Sequence, residues 1–99
     1  MADFEWDPRK EVLNVRKHGI DFTTASLIWD GLVIERSDNR RDYGEPRLQA
    51  FGVGEHRVPA VIYTWRGEAR RIISARIANL PERRFYEEEI AERGRAPPD

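Results

Sequence analysis

Residues 57–78 read RVPAVIYTWRGEARRIISARIA, and this stretch carries the strongest β-sheet signal in the chain. Residues 57–66 and 69–78 are rich in the β-branched and aromatic residue types that favour strands. Gly67 and Glu68 lie between them and fit a two-residue hairpin turn with glycine at its first central position. The stretch therefore predicts an antiparallel hairpin, and the other elements are placed on either side of it.

The capping pattern near the N-terminus predicts a helix from Pro8 to about His18. Asp7 can accept hydrogen bonds from free backbone N–H groups, Pro8 suits the first helical position, and Gly19 is a favoured C-terminal stop. The side chains expected to face inward from this helix are Val12 and either Val15 or Arg16.

Five further elements complete the prediction. A second, shorter helix begins at Asp21 or Thr23 and ends at residues 30–31, where a glycine follows an aspartate. The last helix begins at Pro81 and ends at Gly94. Short strands are predicted at 4–6, 32–35 and 47–53, with a polar loop over 37–44.

The resulting element order is β-α-α-β-β-β-β-α, which places the chain in the α+β class. Sequential strands joined by short turns favour an antiparallel sheet with helices packed on a face. We expect about four main strands, a short N-terminal strand, two N-terminal helices and one C-terminal helix. The chain is predicted to hold one domain over residues 1–93 and a flexible tail over 94–99.

The composition excludes several kinds of site. The 99 residues include no cysteine, which excludes a disulfide, a thiolate zinc site and a thiol nucleophile. With only two histidines, we expect neither a metal site nor a cofactor. No apolar run approaches the roughly 20 residues of a membrane helix, and the first ten residues lack the apolar stretch of a signal peptide. We therefore expect a cytoplasmic protein that makes no membrane contact.

Positive charge is concentrated in the middle of the chain. Residues 36–76 contain nine basic and five acidic residues, a net charge of +4, whereas the whole chain carries −1. Fifteen of the 17 basic residues are arginine, whose planar guanidinium group binds phosphate or carboxylate through two parallel hydrogen bonds. The pattern indicates an anionic ligand or an acidic partner, and simple solvation of a small surface is the alternative.

Arginines on the predicted hairpin are candidates for an anion site. Because side chains alternate along a strand, Arg76 is expected to share a face with Arg70, and Arg71 to lie on the opposite face. A two-residue turn puts Arg66 on the Arg71 face, and one extra turn residue puts it on the Arg76 face. Either way, two or three guanidinium groups are expected to crowd one end of the sheet. The alternative is ion pairing with nearby carboxylates, namely Glu45, Glu68 or Glu82.

Lys17 and His18 form a second candidate group at the end of the first helix. Histidine titrates near neutral pH and can act as a general acid or base, and lysine can hold a phosphate as a point charge. The alternative is that both residues complement the negative end of the helix dipole. Tyr86 on the last helix fits the core and a site equally well.

Several short segments occur together in this chain: FEWD at 4–7, KHGI at 17–20, E-x-R at 45–47, VIYTWRG at 61–67, RIISAR at 71–76, and Glu82-Arg83 with Tyr86. This combination resembles the BrnT family of type II toxins over residues 4 to about 88. The resemblance implies a RelE-like ribonuclease fold, cleavage of RNA, inhibition of translation and neutralisation by a cognate antitoxin. It also implies that the antitoxin resembles a ribbon-helix-helix DNA-binding protein and that the complex represses its own operon.

A mechanism without metal is consistent with these residues. The 2′-OH of RNA attacks the adjacent phosphate, and preorganised cations stabilise the charge that gathers there. Arg66 and Arg76 are expected to supply this stabilisation, with His18 or Lys17 assisting proton transfer or charge stabilisation if the first helix ends near the sheet face. The residues expected to bind the substrate are Arg47 and Arg71, on the flanking phosphates, and Tyr86, which would orient it.

Two other functions fit the same residues. A non-catalytic partner module would act as a corepressor, and it would raise the operator affinity of a DNA-binding antitoxin without cleaving RNA. A simple RNA-binding domain would bind RNA in a salt-sensitive way without affecting growth.

Overall fold

The computed structural model describes residues 3–94, and in it helices cover parts of both faces of a five-stranded sheet. The α+β class is confirmed. Of the tail predicted over 94–99, Gly94 caps the last helix and residues 95–99 lie outside the described residues. None of the helices within residues 3–94 is both long and apolar enough to cross a membrane. In chain order the elements are β1 (Asp3–Glu5), α1 (Pro8–His18), α2 (Phe22–Ser26), a 3₁₀ turn (Leu27–Asp30), β2 (Ile34–Ser37), β3 (Leu48–Phe51), β4 (Pro59–Arg66), β5 (Ala69–Ile77) and α3 (Leu80–Arg93).

The sheet is mixed, which corrects the expectation of a wholly antiparallel one. Its strand order is β1-β5-β4-β3-β2, and the strands from β2 to β5 pair antiparallel with their neighbours. β1 pairs parallel with the first residues of β5. A long stretch of chain separates these two strands, so no tight turn imposes an antiparallel direction on them.

The predicted hairpin turn is confirmed. Gly67 has a φ of +59°, and Arg66 pairs with Ala69 across it, which leaves two residues in the turn. Glycine adopts this left-handed conformation without the steric cost that a Cβ atom would impose.

A bulge further along the hairpin corrects the expected distribution of arginines. Ile62 pairs with Ser74 and Tyr63 with Ile72, so Ile73 has no opposite residue in β4. An extra residue in one strand reverses the alternation beyond it. Thr64 and Ala60 lie on the same face of β4 as Arg66, and they pair with Arg71 and Arg76. All three arginines therefore share one face of the sheet, and the expectation that Arg71 lies opposite Arg76 is wrong. We call this face, which carries Ala60, Ile62, Thr64 and Arg66, the outer face.

The main core lies on the face opposite the outer face. There α2 and the 3₁₀ turn pack on the sheet, and Tyr63 at its centre is completely buried. A smaller core lies at one end of the outer face, where α3 covers β2 and β3. The buried members of the smaller core are Ile34, Phe51, Ala60 and Tyr86.

α1 has the predicted caps but not the predicted inward face. Asp7 accepts a hydrogen bond from the Arg9 N–H at 2.9 Å, and Gly19 ends the helix with a φ of +73°. Val12 and Val15 are 52% and 43% exposed, so the prediction that they face inward is wrong.

The reason is that α1 is held at the edge of β5 by a polar side chain, Asn14. β1 covers this edge only over residues 69–71, which leaves the backbone of Ala75 without a strand neighbour on that side. The buried Asn14 amide accepts from the Ala75 N–H at 3.1 Å and donates to the Ala75 carbonyl at 2.8 Å. It also donates to the Ile20 carbonyl at 2.9 Å, which fixes the end of α1.

We predict that Asn14→Ala lowers the free energy of unfolding by roughly 1–3 kcal/mol, because buried backbone groups at Ala75 and Ile20 lose their partner. Urea denaturation at 25 °C measures this change. Leu13→Ala, at an exposed position of the same helix, serves as the control and should shift stability by no more than about 0.5 kcal/mol. Equal stability of Asn14→Ala and the wild type would contradict this role.

Candidate active site

A cavity of about 290 Å³ opens on the outer face, and we call it the cationic cup. The end of α1, the loop after β2 and the strands β3, β4 and β5 all contribute to it. Four basic residues line it, namely Lys17, His18, Arg40 and Arg76. The other lining residues are uncharged, namely Gln49, Ala60, Ile62 and Ser74.

Arg76 is held in the cup by Glu82 of α3. Its two terminal nitrogens donate to the two Glu82 carboxylate oxygens at 2.6 and 2.7 Å. Hydrogen bonds from Arg76 hold the pKa of Glu82 below its usual range, and the same bonds raise the pKa of Arg76. Glu82 also accepts from the Asn79 N–H at 2.9 Å, which closes the capping box of α3. One largely buried carboxylate thus fixes both the guanidinium group and the helix.

Lys17 and His18 reach the cup from the last turn of α1. Burial lowers the pKa of His18, and the positive charges of Lys17 and Arg76 lower it further. Since the ordinary pKa is 6.5, the imidazole is mostly neutral at pH 7 and can accept a proton.

Arg40 is a cup residue that the sequence analysis missed. Its Nε and Nη2 donate to the two carboxylate oxygens of Asp38 at 2.7 and 3.0 Å. Asp38 is buried, and hydrogen bonds from Arg40 hold its pKa below the usual range. The backbone N–H of Asp38 donates to the Arg47 carbonyl at 2.9 Å, which anchors the polar loop. The Asp-x-Arg spacing was the available signal, but it lies in a segment predicted only as a loop.

Arg66 and Arg76 do not come together at one end of the sheet. Arg66 pairs with Ala69 and Arg76 with Ala60, six positions apart along β4. At about 3.3 Å per residue, this separates their backbones by roughly 20 Å. The expectation that these guanidinium groups crowd one sheet end is therefore wrong for this pair.

The remaining arginine candidates lie away from the cup. Arg66 and Arg47 lie near a shared carboxylate, Glu45, at nitrogen–oxygen distances of 3.5 and 3.6 Å. The Arg47 guanidinium group also stacks 3.9 Å from the centre of the Tyr43 ring. Arg71 donates to Glu5 of β1 at 2.7 Å. The ion pairs expected as the alternative therefore form with Glu45 and Glu82.

Tyr86 lies in the smaller core and does not line the cup. Its side chain is buried, which raises its pKa, and its hydroxyl donates to the Leu32 carbonyl at 3.1 Å. This contact anchors α3 to the segment that precedes β2.

The fold and the cup together define an α+β protein with a site suited to an anionic ligand. Within residues 3–94, no three His, Cys, Asp or Glu side chains are grouped so that they could hold a metal ion.

A family model described as "Ribonuclease toxin, BrnT, of type II toxin-antitoxin system" matches residues 6–82. Because this match spans more than three-quarters of the 99 residues, the chain belongs to the BrnT family. The resemblance noted in the sequence is thereby confirmed. The family implies a ribonuclease toxin with a protein antitoxin as its partner. A comparison with curated proteins gives no match.

We predict that Glu82→Gln lowers the free energy of unfolding at pH 7 by roughly 1–3 kcal/mol, because Arg76 loses a charged hydrogen-bond partner. The folded-state pKa of Glu82 is depressed from 4.5, so its contribution exists above pH 4.5 and is lost as the pH falls through the folded value. The difference between wild type and Glu82→Gln should therefore shrink below pH 4.5. Urea denaturation at several pH values measures it.

Glu87→Gln is the matched control, because Glu87 forms an exposed ion pair with Arg83 on the same helix. Exposed pairs contribute little, so this variant should stay within about 0.5 kcal/mol of wild type at each pH. A pH-independent difference for Glu82→Gln would contradict the proposed ion-pair contribution.

Proposed function

We propose that this protein is a metal-independent endoribonuclease of RelE-like fold that cleaves RNA in the cationic cup and so inhibits translation. The observation that carries the proposal is the composition of that one cavity. It combines His18, whose lowered pKa favours the neutral imidazole that can accept a proton, with the positive charges of Lys17, Arg40 and Arg76.

The proposed reaction is an internal transfer of the RNA phosphate. The neutral His18 imidazole accepts the proton of the 2′-OH, and the 2′ oxygen forms a bond to the adjacent phosphorus. The bond from phosphorus to the 5′ oxygen breaks, and the leaving oxygen takes a proton from the Lys17 ammonium group. The products are a 2′,3′-cyclic phosphate and a 5′-hydroxyl.

Arg76 supports this reaction as a preoriented cation. Negative charge gathers on the phosphoryl oxygens in the transition state, and a guanidinium group already fixed in place stabilises it without reorganisation. Glu82 occupies one side of Arg76 and acts as a positioning residue. Arg40, fixed by Asp38, provides a second preoriented cation.

Arg66, Arg47 and Arg71 serve in this proposal as binders of flanking phosphates. Arg66 and Arg71 belong to the outer face on which the cup opens, but Arg66 lies roughly 20 Å from Arg76 along β4. An RNA strand lying along the outer face would contact Arg76 in the cup and Arg66 at the other end of β4. Arg66 is thus proposed to bind substrate rather than to stabilise the reacting phosphate. Tyr86 orients the substrate indirectly, through α3 and Glu82.

The antitoxin in this proposal is a ribbon-helix-helix protein whose complex with the toxin binds operator DNA. The second candidate is a non-catalytic partner module. It is favoured by the ion pairs of Arg66, Arg71 and Arg76 with Glu45, Glu5 and Glu82, which use part of their charge within the protein. Cleavage of RNA by the purified protein, together with growth arrest on expression, separates the two.

We predict that Arg76→Ala slows RNA cleavage by about 10²–10³ on both a trinucleotide and a long RNA, because it removes a preoriented cation from the reacting phosphate. Arg66→Ala should leave trinucleotide cleavage within twofold of wild type and weaken cleavage of the long RNA. Single-turnover rates of the purified variants measure both effects.

Arg84→Ala, at an exposed position of α3, is the control for simple loss of an arginine. Full activity of Arg76→Ala on both substrates would place the reaction elsewhere. No cleavage by folded wild-type protein on any RNA, with raised operator affinity of the antitoxin, would support the partner module instead.

A further inference from the structure

The outward face of α1 is an apolar surface that no other described element covers. Val12, Leu13 and Val15 are 52%, 61% and 43% exposed, and Asn14 is the buried residue between them. Isolated exposed aliphatic side chains are common, but Val12 and Val15 lie about one helical turn apart and together line a cavity of about 500 Å³, while Leu13 lies on the side of the helix towards the cup. Patches of this kind mark interaction surfaces.

The same face is strongly basic. The 11 residues of α1 include Arg9, Lys10, Arg16 and Lys17 against one acidic residue, Glu11. Two neighbouring carboxylates offset part of this charge, because Asp7 pairs with Arg9 and Asp21, which accepts the Thr24 N–H, lines the cavity beside Val12 and Val15. The Glu11 carboxylate is also engaged, because it accepts the Phe22 N–H at 2.9 Å. An occupant of this face must therefore present aliphatic side chains together with negative charge.

These two properties discriminate among possible occupants. A second copy of the chain would bring a basic helix against a basic helix, and like charges in contact are unfavourable. RNA would meet the cations, but single-stranded RNA gains much of its affinity from bases stacked on aromatic rings, and this patch is aliphatic. A protein segment with acidic and aliphatic residues satisfies both requirements.

We infer that the outward face of α1 is the docking surface for an acidic, aliphatic segment of the antitoxin. The identity of the partner rests on the proposed function. The surface is continuous with the cup, because a second cavity of about 230 Å³ is lined by Lys10 and Leu13 and also by Lys17, His18 and Ser74 of the cup. A segment seated on α1 therefore lies beside the cup and blocks RNA from entering it.

The first test is the double variant Val12→Glu/Val15→Glu, which places negative charge on the exposed face without touching the core. Its affinity for the purified cognate antitoxin should fall at least 10-fold, while RNA cleavage by the free variant stays within twofold of wild type. The matched control is Leu32→Glu/Val53→Glu, whose positions are 50% and 54% exposed elsewhere on the surface. Circular dichroism verifies that both variants are folded.

Unchanged antitoxin affinity of the α1 variant would overturn the inference, as would an equal loss in the control. Loss of RNA binding by the α1 variant, with antitoxin binding intact, would assign the face to RNA. A concentration-dependent dimer of the wild type that dissociates in the variant would assign it to a second copy. Absence of RNA cleavage by the wild type would refute the proposed function but leave the binding result interpretable.

A second test uses the fact that both lysines of the chain, Lys10 and Lys17, lie on α1. Acetylation of the free toxin and of its antitoxin complex, read by mass spectrometry, reports how far each amine is covered. The inference predicts at least fivefold slower acetylation of both lysines in the complex. Protection of Lys17 alone would mean that the antitoxin fills the cup without docking along α1, which contradicts the inference.

Discussion

The paired hydrogen bonds between the Asn14 amide and the backbone of Ala75 are the contact on which the site depends. The side chain takes the place of a missing strand at the open edge of β5 and satisfies a buried N–H and a buried carbonyl together. Asn14 is the one buried residue of α1, and through it the helix is attached to the edge of β5. The position of Lys17 and His18 at the cup therefore follows from an amide one turn earlier in the helix.

Carboxylates that lie outside the cup hold its arginines in place. Glu82 fixes Arg76 from α3, and the buried Asp38 fixes Arg40 from the loop after β2. Each carboxylate binds one side of a guanidinium group and leaves N–H donors free on the other side. The carboxylate fixes the orientation of the guanidinium group, and it also lowers the local net positive charge. This arrangement accounts for a chain that carries −1 overall and still concentrates positive charge in one cavity. Glu82 also links the cup to the N-terminal cap of α3, because the same carboxylate binds Arg76 and accepts the Asn79 N–H.

Local signals predicted the helices and the hairpin turn, because caps, glycine positions and strand composition act over a few residues. The family was indicated separately, by the resemblance of several short segments. The bulge at Ile73 was not predictable in this way, since it depends on pairing with β4, and it moved Arg71 to the face of Arg76. The distance between Arg66 and Arg76 followed from the strand register, which the sequence alone does not define.

The exposure of Val12 and Val15 had a different origin. Helical periodicity predicts an inward face on the assumption that a helix packs an apolar face on a core. The α1 helix instead attaches to the edge of the sheet through a polar residue, Asn14. Arg40 was missed because its partner, Asp38, lies in an irregular segment.

The central claim is that the residues of the cup cleave RNA by internal phosphate transfer. The most direct measurement is the chemistry of the ends produced when purified protein cuts a defined RNA in the presence of excess EDTA. We predict 2′,3′-cyclic phosphate and 5′-hydroxyl ends from the wild type, and loss of both from His18→Ala. Fragments with 3′-hydroxyl and 5′-phosphate ends, or cleavage that stops when EDTA is added, would contradict it.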